Sequence, residues 1–359
     1  MDKSIRKSNI ELLKIIAMVI ICFSHVINPI VYSLGLGNDF SLNPINWIFS
    51  FIKNSGWLGD FIFITCSCYF LYEYRKISWK KMILYYLSTY FELIFFWIIC
   101  TICGATITKE LTIKTFTSFI LTEHWFVLVY IGFLACVPLL NLIVDKLNRK
   151  QHFIINIITL VITTILQVLI LFGVLPFEAD YKFTAFIFLF FIISYGRKYG
   201  NYLFMKEHDT KTNLIVAILS IVGWYGFIAL FNCIGINSPE MFSSSLNIVY
   251  FYSPIFYFLS ISLFLLFKDL KVKDSKAINF ISSLSLLFYV GHQNEFTKFF
   301  ADQPLFDFAS SHTSGPILGI LFVAGLVRFI FGIVVATIAY FVIQKPISIL
   351  LNRIINSKK

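Results

Sequence analysis

Charge is scarce in this chain. Asp, Glu, Lys and Arg together make up 13% of its 359 residues, against 58% hydrophobic. At a mean hydropathy of +0.82, one soluble core could not hide that much apolar surface, which excludes a soluble globular enzyme and leaves a polytopic membrane protein. Soluble domains are lacking too. The longest connections between apolar runs, about 33–55 and 295–314, are too short to fold alone, so any chemistry must be done by a membrane bundle. There is no short-period repeat and no low-complexity run. The first apolar run continues past His25 and has no small-x-small cleavage site, so it reads as a retained span and not as a signal peptide. All seven cysteines fall inside apolar runs, which argues against disulfides and against zinc. Cys100-x-x-Cys103 has redox-motif spacing but no second pair, and reads as small residues at a helix contact. No metal is expected.

What is present is a series of apolar segments separated by basic loops. Ten spans are expected at about 10–32, 56–72, 80–103, 124–144, 153–173, 181–197, 213–234, 247–267, 278–294 and 315–343. The ninth is short and rich in Ser, the pattern of a broken or re-entrant helix. With the amino terminus inside, 22 Lys and Arg fall in inner segments and five in outer ones, the asymmetry of a protein with both termini cytoplasmic. The fold class is therefore an all-α polytopic bundle of about ten helices, one integral-membrane domain over 1–359. The net charge of +10 describes loops facing anionic lipid and is no argument for nucleic acid. Asn43 to Lys53, with Trp47, Phe49 and Phe51, reads as a segment lying flat at the outer surface.

Polar residues inside the spans are the candidates for function. Lys14 and His25 are eleven residues apart, which on a helix puts them on one face roughly 16 Å from each other. Burial favours neutral imidazole, so His25 suits general-base activation of a hydroxyl; a packing histidine is the alternative. Lys14 is one turn from Glu11 and can form an i, i+3 ion pair. Asp60 opens the second span at the depth of His25 and could fix its tautomer, or simply favour the helix dipole there. Glu92 and Arg328 both fall mid-span, where each would be costly alone, and pairing with each other is the expected remedy. His292, Asn294 and Glu295 end the ninth span, and Glu123 and His124 begin the fourth; either cluster could bind hydroxyls or be a polar helix rim.

The string Ser8-Asn9-Ile10-Glu11-Leu12-Leu13-Lys14-Ile15-Ile16-Ala17-Met18, with His25 beyond it, resembles the opening helix of the membrane acyltransferase-3 family, where an Arg precedes the His by eleven positions. Lys14 stands in place of that Arg. Trp57-Leu58-Gly59-Asp60-Phe61 through Cys68-Tyr69 is similar to the family's second helix, with Cys68 for a Gly, and His124-Trp125-Phe126, Pro138-Leu139-Leu140-Asn141 and Leu287-Phe288-Tyr289-Val290-Gly291-His292 fall where the family has similar strings. The resemblance implies a multi-pass cell-membrane O-acyltransferase. It would take an acyl group from cytoplasmic acyl-CoA, with acetyl-CoA the expected donor, and deliver it to a hydroxyl of an extracytoplasmic or lipid-linked glycan. It further implies a donor contact at Lys14 and at the basic run Arg75, Lys76, Lys80 and Lys81, which stands for the family's Arg-x-x-Arg; for Arg328, lining the acyl-CoA path is the alternative to the clamp with Glu92. Acceptor contacts are expected at His124, His292 and Glu295. The rival is a transporter or flippase using Glu92, Arg328 and His25 as a translocation path.

Overall fold

The computed structural model describes residues 7–33, 40–105, 108–117, 124–175, 182–238, 253–311 and 317–357. These residues are helical, with no strand among them and one isolated bridge between Tyr202 and Met205. Six helices are long and apolar enough to cross a membrane: Ser8–Ile27, Trp79–Ile102, Trp125–Lys146, Arg149–Leu171, Thr210–Asn237 and Ile317–Asn356. In chain order the helices are α1 (Ser8–Ser33), α2 (Pro44–Leu71), α3 (Trp79–Ile102), α4 (Lys109–Thr117), α5 (Trp125–Lys146), α6 (Arg149–Leu171), α7 (Lys182–Tyr199), α8 (Thr210–Asn237), α9 (Pro254–Asp269), α10 (Lys276–Ser283), α11 (Ser285–Gly291), α12 (Glu295–Thr297), α13 (Gln303–Ser311), α14 (Ile317–Ala339) and α15 (Lys345–Asn356). Two π-helical turns, Lys298–Asp302 and Tyr340–Gln344, interrupt the last third.

Two expectations need revision. Asn43 to Lys53 is not a separate surface segment. The Asn43 side chain caps Ile45 N–H, Pro44 supplies the fixed φ favoured at a helix start, and α2 then runs without a break to Leu71. The last span does not stop near 343 but continues through a π turn to Asn356. Six of the ten expected spans correspond to helices that qualify by length and composition among the described residues; α9 has 16 residues, or about 24 Å. The ninth segment is broken, as its serines suggest: α10 ends at Ser283 and α11 begins at Ser285.

α6 shows how the sequence answers to its solvent. His152, Asn156, Thr159, Thr163 and Gln167 recur every three or four residues and are buried, while Phe153, Ile157, Ile158, Val161 and Ile165 are exposed. A water-soluble helix has the reverse arrangement. Here the apolar face can meet lipid, and the polar one is satisfied in part within the protein, as when His152 Nε2 bonds Phe191 O of α7 at 2.8 Å.

The chain divides into two compact units, Met1–Arg75 with Val137–Asn279, and Lys76–Cys136 with Phe280–Lys359. In the first, α1 lies along α2, which also packs on α7, α8 and α9, while α6 packs on α7 and α8 on α9. The α1–α2 approach depends on two glycines: a Cβ on Gly56 would come 2.5 Å from Ser24 Oγ, and one on Gly59 would come 2.5 Å from Ile21 Cγ1. Ser24 Oγ reaches Lys53 O at 2.5 Å across the same seam, and Thr65 Oγ1 meets Ser260 Oγ of α9 at 3.1 Å. In the second unit, α3 and α14 both pack on α11, and α15 returns alongside the start of α3, where Lys80 bonds Asn352. Gly332 of α14 permits the close approach of α14 to α11, since its Cβ would lie 2.7 Å from Phe288.

Gly59→Val should therefore split the α1–α2 seam, at a cost of about 1–3 kcal/mol from overpacking. Gly223→Ala in α8, where an added Cβ meets nothing within 4 Å, should leave stability unchanged or raise it by up to about 1 kcal/mol, since glycine is the poorer helix former. Thermal unfolding of the two variants in detergent checks this, and equal midpoints would show that the seam yields freely.

Candidate active-site regions

In the first unit the candidate residues of α1 and α2 are set by the antiparallel seam. Gly56 opposes Ser24, and Gly59 opposes Ile21 and Ala17. His25, half-buried on α1, thus lies level with the turn of α2 around Gly56. Asp60 lies about one turn further along α2, buried at 6% exposure. The charge that acts on Asp60 comes from Lys182, the first residue of α7. Towards the other end of the seam, Lys14 pairs with Glu11 at 3.3 Å, and both lie close enough to Cys66 of α2 to act on its thiol. One face of α1 therefore carries the Lys14–Glu11 pair at one level and His25 three turns further along.

At the end of the unit nearer Lys14, basic side chains tie helix ends together. Ser8 Oγ donates to Asp274 at 2.9 Å and to Asn279 at 3.0 Å, and Asn9 Nδ2 donates to Lys268 O at 2.9 Å. The carbonyls that close α2 are capped by Asn141 Nδ2, which reaches Leu71 O at 3.0 Å and Tyr74 O at 2.8 Å. Those that close α5 receive the Lys198 ammonium, 2.7 Å from Val144 O and 2.9 Å from Leu147 O; a cation there also complements the helix dipole. Arg75 is held by Asp145 at 3.2 Å and by Tyr72 O at 2.9 Å. Arg197 stacks over Tyr69 at 4.4 Å and pairs with Glu73, and Lys268, 4.9 Å above the same ring, pairs with Glu207. Burial alone would raise the Glu207 carboxyl, but hydrogen bonds from Lys268 and from the Tyr202 hydroxyl at 2.8 Å bring it below the usual range. This network braces the 200–209 loop, in which Leu203 and His208 both take left-handed backbone.

The second unit holds five of the buried sequence candidates: Glu92, His124, His292, Asn294 and Arg328. His292 follows α11, fully buried, with Nδ1 2.9 Å from Phe288 O and its ring stacked on Phe288 at 5.2 Å. His124, also buried, acts on it electrostatically. Arg328 of α14 donates from Nε to His292 O at 3.1 Å and pairs with Asp302 at 3.2 Å, both side chains 5% exposed. The expected Glu92–Arg328 clamp is therefore not formed. Arg328 takes Asp302, and neither carboxylate oxygen of Glu92 finds a hydrogen-bond partner among the described residues. Just beyond His292, Asn294 Oδ1 caps Thr297 N–H at 2.9 Å and Thr297 Oγ1 closes back on Gly291 O at 2.6 Å. Glu295 starts α12, but its side chain and all of Glu123 lie outside the described residues. Of the basic run, Lys76 is exposed, Lys80 bonds Asn352, and Lys81 sits 5.5 Å over the Tyr85 ring.

Asp302, Arg197 and Lys268 were not singled out from the sequence as site residues. Asp302 had a usable signal, being an acid in a stretch otherwise rich in Phe that follows the broken span. Arg197 and Lys268 had none that set them apart from other loop cations.

Helices with lipid-facing apolar surfaces and inward polar stripes make this a helical membrane protein, with ionisable groups concentrated in two places. The family model for the acyltransferase domain (Acyl_transf_3) matches residues 7–345, a stretch that takes in both units, and the chain belongs to that family. No curated protein and no solved structure matches it.

Burial pushes the Asp302 carboxyl up to about 6, with Arg328 and Lys298 opposing. The native acid thus keeps its proton to higher pH than the unfolded one, which ionises near 3.8. Stability should fall as pH rises from about 4 to about 6 and then level off, and Asp302→Asn should flatten that slope. At neutral pH, Arg328→Met should cost about 3–5 kcal/mol by leaving Asp302 without its counter-charge, and adding Asp302→Leu should recover most of it. Thermal midpoints across pH measure both effects.

Proposed function

We propose that this protein is a membrane O-acyltransferase of about ten spans with both termini in the cytoplasm. It takes an acyl group, acetyl in the simplest case, from cytoplasmic acyl-CoA and places it on a hydroxyl of an extracytoplasmic or lipid-linked glycan at the cell membrane. The observation that carries the reading is membership of the acyltransferase family over residues 7–345, with a cation and an imidazole set along one face of α1. In this reading the acceptor hydroxyl gives its proton to His25 as its oxygen attacks the thioester carbonyl. The new C–O bond forms, the C–S bond breaks, and the proton passes to the departing CoA thiolate, leaving an ester and CoA–SH. Asp60 would orient the imidazole. Lys14 and the cluster Arg75, Lys76, Lys80 and Lys81 would meet donor phosphates as point charges, and Arg328 would serve the donor path by holding the end of α11. His124, His292 and Glu295 would face the acceptor.

Purified protein with radiolabelled acetyl-CoA and a surface-glycan extract should transfer label. His25→Ala should lower the rate by about 10²–10⁴-fold while leaving insertion unchanged. Normal transfer in that variant would remove His25 from catalysis, and absence of transfer with every acyl-CoA would favour transport instead.

Topology is tested apart from chemistry. Single cysteines at Lys273, Ser357, Thr112 and Asp307 in a cysteine-free background should sort by an impermeant maleimide on intact cells. Thr112 and Asp307 should label, and Lys273 and Ser357 only after permeabilisation. Labelling of Ser357 in intact cells would invert the carboxyl terminus.

A further inference from the structure

The broken ninth segment leaves an uncompleted set of hydrogen bonds in the second unit. Glu92 lies about 20 Å along α3 from Trp79, well inside a helix long enough to cross a bilayer. It is fully buried, and among the described residues both its carboxylate oxygens lack a hydrogen-bond partner, as does Ser88 Oγ one turn earlier on the same face. This face meets the end of α11: a Cβ on Gly291 would come 2.9 Å from Glu92 Oε1, so the glycine leaves room for the carboxylate. One turn beyond Glu92, Phe96 packs on Phe296 at 5.1 Å, so the turn 291–296 runs along α3 from Glu92 to Phe96. Within that turn Asn294 is 4% exposed. Its Oδ1 is used by Thr297 N–H, but its Nδ2 finds no acceptor among the described residues.

An acceptor with no donor and a donor with no acceptor therefore border the same turn without satisfying each other. Leaving such groups unpaired in an interior is costly, and a third group that both donates and accepts would complete them. A hydroxyl does both. It can donate to a Glu92 oxygen and accept from Asn294 Nδ2, with Ser88 Oγ free to serve a neighbouring hydroxyl. An ammonium would satisfy Glu92 alone, and an anion would satisfy Asn294 alone and be repelled by Glu92.

We propose that Ser88, Glu92 and Asn294 form a hydroxyl-binding subsite between α3 and the turn after α11, occupied by a vicinal diol of a sugar. This deepens the reading of the protein as a glycan acyltransferase and rests on it for the identity of the ligand. The subsite is separate from the Arg328–Asp302 pair, and it fixes which hydroxyl-bearing ring is held, not the proton transfer.

The test uses the full chain in lipid nanodiscs and tritiated methyl glucoside and methyl galactoside as probes, with equilibrium binding as the primary readout. Glu92→Gln keeps the shape but weakens acceptance, and Asn294→Ser keeps the cap on Thr297 while removing the Nδ2 donor. Each should weaken glycoside binding about tenfold or more; Ser88→Ala, the mildest change, should weaken it less. Acetyl-CoA hydrolysis without glycoside should stay at the wild-type rate in all three. Unchanged glycoside affinity in the folded variants overturns the proposal, as does failure of the wild type to bind either probe. Glycoside binding that depends on Glu92, in a wild-type protein without acetyl transfer or acetyl-CoA hydrolysis, would uphold the subsite and reject the enzyme.

Discussion

A helix facing hydrocarbon has no water to complete its hydrogen bonds, so every polar side chain it carries must find its partner inside the protein or at a ligand. The rest of this structure depends on that constraint. It sends the polar stripe of α6 inward and its isoleucines outward. It gives Ser24 a carbonyl on α2, Thr65 a hydroxyl on α9, and the Arg328 guanidinium both a carboxylate and the carbonyl of His292. Glycine is the means by which helices come close enough to do this: Gly56 and Gly59 on α2, Gly332 on α14.

Against that background the unpaired groups become informative. Several polar side chains buried in the second unit are engaged, down to the cap on Thr297 and its return to Gly291. Ser88, Glu92 and Asn294 Nδ2 stand out because, without hydrogen-bond partners among the described residues, they border one turn. A membrane bundle that braces an arginine on two sides has the means to neutralise a glutamate as well, and its failure to do so is better understood as a site than as an oversight.

The fold class was legible from composition, and α3, α5, α6, α7 and α8 lie within a few residues of the expected spans, because long apolar runs bounded by basic residues leave little choice. The break in the ninth span was legible from its serines. What misled was partner choice. Glu92 and Arg328 matched in depth and sign, yet the π turn Lys298–Asp302 brings a different acid to Arg328, and nothing in the local pattern announces a π turn. Asn43 to Lys53 misled for a related reason. Its aromatics suit an interface equally well as a flat segment or as the opening turns of a long helix, and only the Asn43 cap and Pro44 decide. The stripe of Lys14 and His25 and the pairing of Lys14 with Glu11 were readable from spacing alone, whereas Arg75 with Asp145 and Lys80 with Asn352 were not; several candidate cations thus already hold protein partners.

The second π turn, Tyr340–Gln344, gives the chain's last long helix a built-in register setting. Each residue of an α-helix turns the chain by about 100°, and a π turn takes up one surplus residue in a single widened turn, so α15 keeps the heading it would have had without it. Losing that residue would let the α-helix run through with Asn352 still beside Lys80, whereas losing one from the regular helix on either side would rotate α15 by that amount, carrying Asn352 away and swinging the exposed Arg353, Ile354 and Ile355 to a new heading. A change in length by one residue is therefore absorbed at this turn and not elsewhere along the helix, and two relatives that differ by one residue here would present the same face of the terminal helix.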